Sequence, residues 1–246
     1  MNYAAIDNYQ VNSIKHTSDS KTEWKQMSNG GKFSFSITYI LLLTTATITF
    51  IEAMRTQNQV IRHILNLETC ISIVAGYFYS VFVNKIEESD KTKTLFSWTE
   101  ITQMRYVDWC ITTPMMLLTL CLVLGNNSNI PVRLSTFLSI VALNYVMLAS
   151  GYMGEMNKLD RTVSDIVGYI AFFAMFFLIY HVFVMPRKCI DNYVLYGLYF
   201  GIWSVYGIAY MFEDENKNIT MNILDMTAKC LIGLGLWGYY TKIIKL

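Results

Sequence analysis

Seven apolar stretches separated by short polar connections organise this chain: Phe33–Met54, Ile64–Val83, Ile101–Leu124, Leu134–Met153, Val163–Met185, Tyr193–Phe212 and Ile219–Ile244. Each reaches about 20 residues, the length a helix needs to cross the hydrocarbon core of a bilayer. The joins, among them NKIEESDKTKT, GNNSNIPVR, GEMNKLDRT, PRKCID and EDENKN, are polar. Backbone groups find no water inside lipid, so spans of this kind bond internally as helices. The pattern predicts an all-α membrane protein. It is a seven-transmembrane-helix bundle over residues 33–246, with consecutive helices as neighbours and a polar tail over residues 1–32 before it.

Composition supports this class: of 246 residues, 54% are hydrophobic and 15% aromatic, and mean hydropathy is positive. That excludes an ordinary soluble domain. The net charge of +1 says little, but its placement gives an orientation. Arg55, Arg62, Arg133, Arg187 and Lys188 follow spans one, three and five, and Lys242 and Lys245 follow the last. Glu87, Glu88, Asp90, Glu155, Asp160, Glu213, Asp214 and Glu215 follow spans two, four and six. Basic residues mark the cytoplasmic side, which puts the N-terminus outside and the C-terminus in the cytoplasm. The tail lacks a hydrophobic core segment, so it does not read as a cleaved signal peptide; it is expected to lie outside, partly folded over the bundle mouth. Cys70, Cys110, Cys121 and Cys230 fall within spans and Cys189 in a connection, with no disulfide or metal-ligand spacing. P-loop and dinucleotide fingerprints are absent too. No enzymatic activity, metal or nucleic-acid partner is expected.

The last span carries two ionisable groups before its end, Asp225 and Lys229, four residues apart and therefore on one helix face. A charge at mid-bilayer costs at least ~2.5–3.5 kcal/mol on insertion scales, which makes such residues candidates for function. Span three repeats the theme, with Arg105, Asp108 and Thr112 on one face. Pointed at one cavity, Asp108, Asp225, Arg105 and Lys229 make a neutral cluster of four charges. A buried amine facing carboxylates is what a Schiff base and its counterion need. A structural ion network gives the same residues, and these charges alone leave both readings open.

At these residues the chain resembles a known family. RYVDW followed by TTP resembles the third-helix signature of microbial (type 1) rhodopsins, and LDMTAK resembles their retinal-lysine motif. Both occur in the family's order, and the resemblance runs across all seven spans. It implies all-trans retinal bound covalently to Lys229, with Trp109 and Trp203 flanking the polyene. Tyr206, Tyr210, Thr113, Met116, Met147, Gly151 and Met175 match further pocket positions. Asp108 and Asp225 match the counterion and proton-acceptor positions, supported by Arg105, Thr112 and Tyr79. The partners implied are retinal, membrane lipids, transported cations or protons, and further copies of the chain in a homo-oligomer.

Departures from the family pattern bear on the kind of transport. Proton-pumping relatives carry a carboxylate seven residues after the Thr112 position; here that position is Thr119, whose hydroxyl does not titrate near neutral pH. Span two offers another acid, Glu68, sharing a face with Ser72 and Tyr79. A satisfied buried acid, bonded to Asn66 or a carbonyl, is the plainer alternative. Glu68, Ser72, Asn66 and Thr119 are expected to form a polar chain suited to a passive pore, which needs several weak sites. Thr113 and Asn144 resemble a pair that bridges helices three and four. The whole pattern resembles most the rhodopsins of large algal and protist viruses, some of them light-gated cation channels and others proton pumps. It implies a multi-pass protein of the plasma membrane or another host-cell membrane. The sequence therefore favours a light-gated cation channel, with an outward proton pump as the alternative and a sensory rhodopsin as a third reading. Gly207 stands where the family has a proline, and is expected to be a flexible point. Gly168 replaces a bulky residue at the ring end of the pocket; tight helix packing and a lateral window covered by a carotenoid are both open readings.

Overall fold

The computed structural model describes residues 26–243. The expected tail up to residue 25, Ile244 and Lys245, expected on the cytoplasmic side, lie outside the described residues. Seven helices follow in order: α1 (Asn29–Arg55), α2 (Gln59–Thr92), α3 (Trp98–Ser128), α4 (Leu134–Glu155), α5 (Arg161–Val184), α6 (Ile190–Tyr210) and α7 (Asp214–Tyr240). Among the described residues there is no strand. Polar residues set the ends. Asn58 accepts from the Val60 and Ile61 amides to start α2, and Ser97 and Asp160 do the same for α3 and α5. Lys93 and Asn129 close α2 and α3 in the left-handed region.

Each helix packs on the next in the chain, and α7 closes the ring against α1; α3 also meets α6, and α2 meets α7. Burial is inverted relative to a soluble protein. Met54 is 71% and Phe177 67% exposed on the outer face, while Arg105, Asp108, Asp225 and Lys229 are buried at the centre. Such a surface needs lipid around it. Six helices are long and apolar enough to cross a membrane; the exception, α6, carries five tyrosines together with Asp191 and Asn192. Together these features make the chain a multi-pass integral membrane protein.

Two local irregularities position the site. Pro114 lies inside α3 and has no N–H to give the Cys110 carbonyl one turn earlier. The Tyr145 hydroxyl of α4 donates to that carbonyl at 3.1 Å instead. In α7 the turn Met226–Leu231, which contains Lys229, is π-helical. Widened turns of this kind gather at functional positions.

Candidate functional site

A stripe of residues on α7 faces the bundle axis: Asn218, Asn222, Asp225, Lys229 and Gly233, spaced three or four apart. They descend from the end of the bundle where α1 begins (the N-terminal end) toward the opposite, C-terminal end. Lys229 sits in the middle. Its Nζ donates to Asp108 Oδ2 at 2.7 Å and lies 3.5 Å from Asp225 Oδ1. All three side chains are at most 1% exposed.

The two carboxylates are held differently. Asp225 receives the Tyr206 hydroxyl at 2.7 Å, the Tyr79 hydroxyl at 2.8 Å, Arg105 at 3.1 Å and the Trp109 indole N–H at 3.3 Å. Asp108 receives only Lys229, and its Oδ1 has no partner among the described residues. Asp225 is thus the fixed charge, and Asp108 keeps an oxygen with room for a proton. Arg105 completes the network through Asn222 at 2.7 Å and Asn218 at 3.2 Å. Its guanidinium lies 5.4–5.9 Å from the ring centroids of Phe82, Tyr79 and Phe35. Two cations and two anions cancel, and buried charges are tolerated when paired in this way.

From Lys229 a cavity opens between α3, α4, α5 and α6, a concave and mostly apolar site of the kind that takes small molecules. Trp109, Met116, Met147, Gly151, Trp203, Tyr206 and Tyr210 line it as the sequence predicts, and so does Thr113. Thr113 accepts from Asn144 at 2.8 Å, which is the expected bridge between α3 and α4. Residues fit a long apolar aldehyde well: an amine at the inner end, opposed carboxylates to hold its charge, and aromatic walls.

Several expectations are corrected. Met175 does not line the cavity. It packs in the core one turn past Phe172, which does line it. Thr112 donates to its own helix, to the Asp108 backbone carbonyl at 2.9 Å, rather than to a carboxylate. Tyr79, by contrast, supports the pair as expected, through Asp225. Asn66 is exposed on the outer face of α2 while Glu68 is buried, because two residues turn a helix by about 200°. It neither satisfies Glu68 nor joins a polar chain. Gly207 has a packing role besides the expected flexibility: a Cβ there would lie 2.5 Å from the Tyr169 ring, and α6 runs unbroken through it in this structure.

Toward the C-terminal end, Glu68 is 2% exposed and its Oε1 has no partner among the described residues. Gly233, one turn beyond Lys229, makes room for it: a Cβ there would lie 2.9 Å from Glu68 Oε2 and 3.2 Å from Thr45 Cγ2. The hydroxyls of Thr45, Ser72 and Thr119 are likewise buried and make no close hydrogen bond among the described residues, with Thr119 facing Glu68. Sequence reasoning found Glu68, Ser72 and Thr119 but missed Thr45, Gly233, Asn218 and Asn222. The regular polar stripe on α7 was the available signal for the two asparagines.

Comparison with known proteins agrees with this geometry. A family model described as bacteriorhodopsin-like protein matches residues 29–243. The green-light absorbing proteorhodopsin of Gamma-proteobacterium EBAC31A08 is 25% identical over 228 residues, covering 85% of this chain and 86% of that protein. The crystal structure of viral rhodopsin OLPVRII is 41% identical with a TM-score of 0.81, covering 87% of this chain and 99% of that one. Xanthorhodopsin, at 19% identity and a TM-score of 0.70 over 86% of this chain and 94% of that one, shares the fold. With an unbroken match across all seven helices and a buried lysine at the head of an aromatic cavity, the chain belongs to the bacteriorhodopsin-like family, the microbial rhodopsins that carry retinal on a lysine.

Proposed function

We propose that this rhodopsin is a light-driven proton transporter, with Asp108 as the acceptor and Glu68 as the group that returns a proton. The carrying observation is the placement of Lys229 between two unlike carboxyl groups. Asp108 lies 2.7 Å away with a free oxygen, and Glu68 is buried beyond Gly233 on the opposite side. Retinal, when bound to Lys229, supplies a light-driven isomerisation that changes where the N–H at Nζ is aimed. Asp108 then takes the proton, while Asp225 stays ionised under Tyr206, Tyr79, Trp109 and Arg105. Glu68 has no cation beside it among the described residues, so its ionised form would be uncompensated. A neutral carboxyl in that position is a proton source for Lys229. In the orientation that the charge pattern predicts, this transfer runs outward. The position of Asn66 on the outer face weakens the polar chain on which a pore would rely.

A light-gated cation channel is the second reading, favoured by the loosely bonded hydroxyls of Thr45, Ser72 and Thr119 around Glu68. They can solvate a passing cation in weak steps. Photocurrent recorded against voltage and ion gradient separates the two. An outward current at every voltage supports the pump, and a current that reverses with the gradient overturns it in favour of the channel.

A further inference from the structure

The cavity changes character at the end remote from Lys229. Near the lysine its walls are aromatic, and beyond Phe172 and Tyr169 it reaches Ser164 and Asp165 on the first turns of α5. Ser164 is fully buried, and its hydroxyl makes no close hydrogen bond among the described residues, although the Tyr210 hydroxyl lies beside it. Asp165 is half-buried, and its carboxylate makes no ion pair or hydrogen bond among those residues. Arg161, one turn earlier, donates to the Tyr210 and Phe212 carbonyls and forms no ion pair with Asp165, although its charge still reaches that carboxylate. The Tyr210 hydroxyl reaches the same spot, where it and Ser164 Oγ crowd the missing Cβ of Gly154. Gly168 also lines this end, and a Cβ there would crowd Ser150 Oγ at 3.3 Å, so the glycine keeps the wall close to α4.

A purely hydrocarbon ring seated here would strip water from an unpartnered hydroxyl and a carboxylate and return no hydrogen bond to either. Sites built to bond a hydroxyl discriminate against ligands that lack one. We propose that this end of the cavity selects a retinal carrying a hydroxyl group on its ring. That hydroxyl donates to the Asp165 carboxylate and accepts from Ser164, which makes these two residues the specificity determinants for the chromophore. The proposal rests on the retinal reading of Lys229 and does not depend on which ion is moved.

The test offers retinal-free protein a limiting, equimolar mixture of all-trans-retinal and all-trans-3-hydroxyretinal, then extracts and counts the bound chromophore. Enrichment of the hydroxylated form by about 10-fold is expected, as one buried hydrogen-bonded group allows. Ser164→Ala and Asp165→Val should each reduce it toward parity while still forming a visible band with plain retinal, which shows that they fold. Equal uptake by the unaltered protein, or enrichment unchanged in both variants, overturns the proposal. Absence of a visible band with either aldehyde overturns it together with the retinal reading, whereas a normal band with equal uptake removes the ring selectivity alone.

Discussion

Toward the N-terminal end of the bundle, Lys229 meets a network in which Tyr79, Tyr206, Trp109 and Arg105 all donate to Asp225, and Asn218 and Asn222 anchor Arg105 in turn. Toward the C-terminal end it meets Glu68 and three hydroxyls that make no close hydrogen bond among the described residues. The first half is tightly bonded and holds a fixed charge. Around Glu68 the second half is loosely bonded, although farther out Thr49 pairs with Thr69 and Asn192 with Ser128. A buried polar group without a partner is costly in hydrocarbon, and its retention points to a step in which water, a proton or an ion arrives. Under the proposed proton-transport reading, this contrast puts charge storage on one side of the lysine and resupply on the other.

Breaking the centre tests both halves at once. Lys229→Ala should leave no visible band after addition of retinal, read by absorption spectroscopy. Asp108→Asn comes next. Pigment should still form, because Asp225 and its donors remain, but proton release measured by flash photolysis with a pH dye should fall by about 10²-fold or more. On the loosely bonded side, Glu68→Gln should slow recovery of the dark state by about 10–100-fold and leave the first proton movement intact. An unaltered recovery rate would retire Glu68 as the resupplying group. Gly233→Ala should act in the same direction but more weakly, since the added methyl displaces only the flexible end of Glu68. The smallest effect is expected at Tyr145→Phe, which leaves the Cys110 carbonyl beside Pro114 unpaired and should cost about 1 kcal/mol of stability, read as a lower thermal midpoint with an unchanged visible band.

Helix number and most of the cavity wall were legible in the sequence. Apolar runs of about 20 residues cross lipid as helices, and charges inside them have few places to go. The failures fall where rotation about a helix axis or a side-chain rotamer decides the outcome. Asn66 and Glu68 are two residues apart yet face opposite ways. Met175 matches a pocket position, yet Phe172 occupies the wall. Thr112 lies on the right face and spends its hydroxyl on its own backbone. Gly207 reads as a hinge in a linear alignment, but the ring that fills the space above it comes from α5.

By itself the sequence determined the bundle, its membrane setting and the four charges at its centre, because hydrocarbon admits only internally bonded helices and paired ions. Tertiary packing alone decided which carboxylate is saturated with donors, which keeps a free oxygen, and which glycine admits Glu68 to the axis. Those outcomes depend on contacts between helices far apart in the chain, set by distances of a few tenths of an ångström that no spacing along one helix encodes.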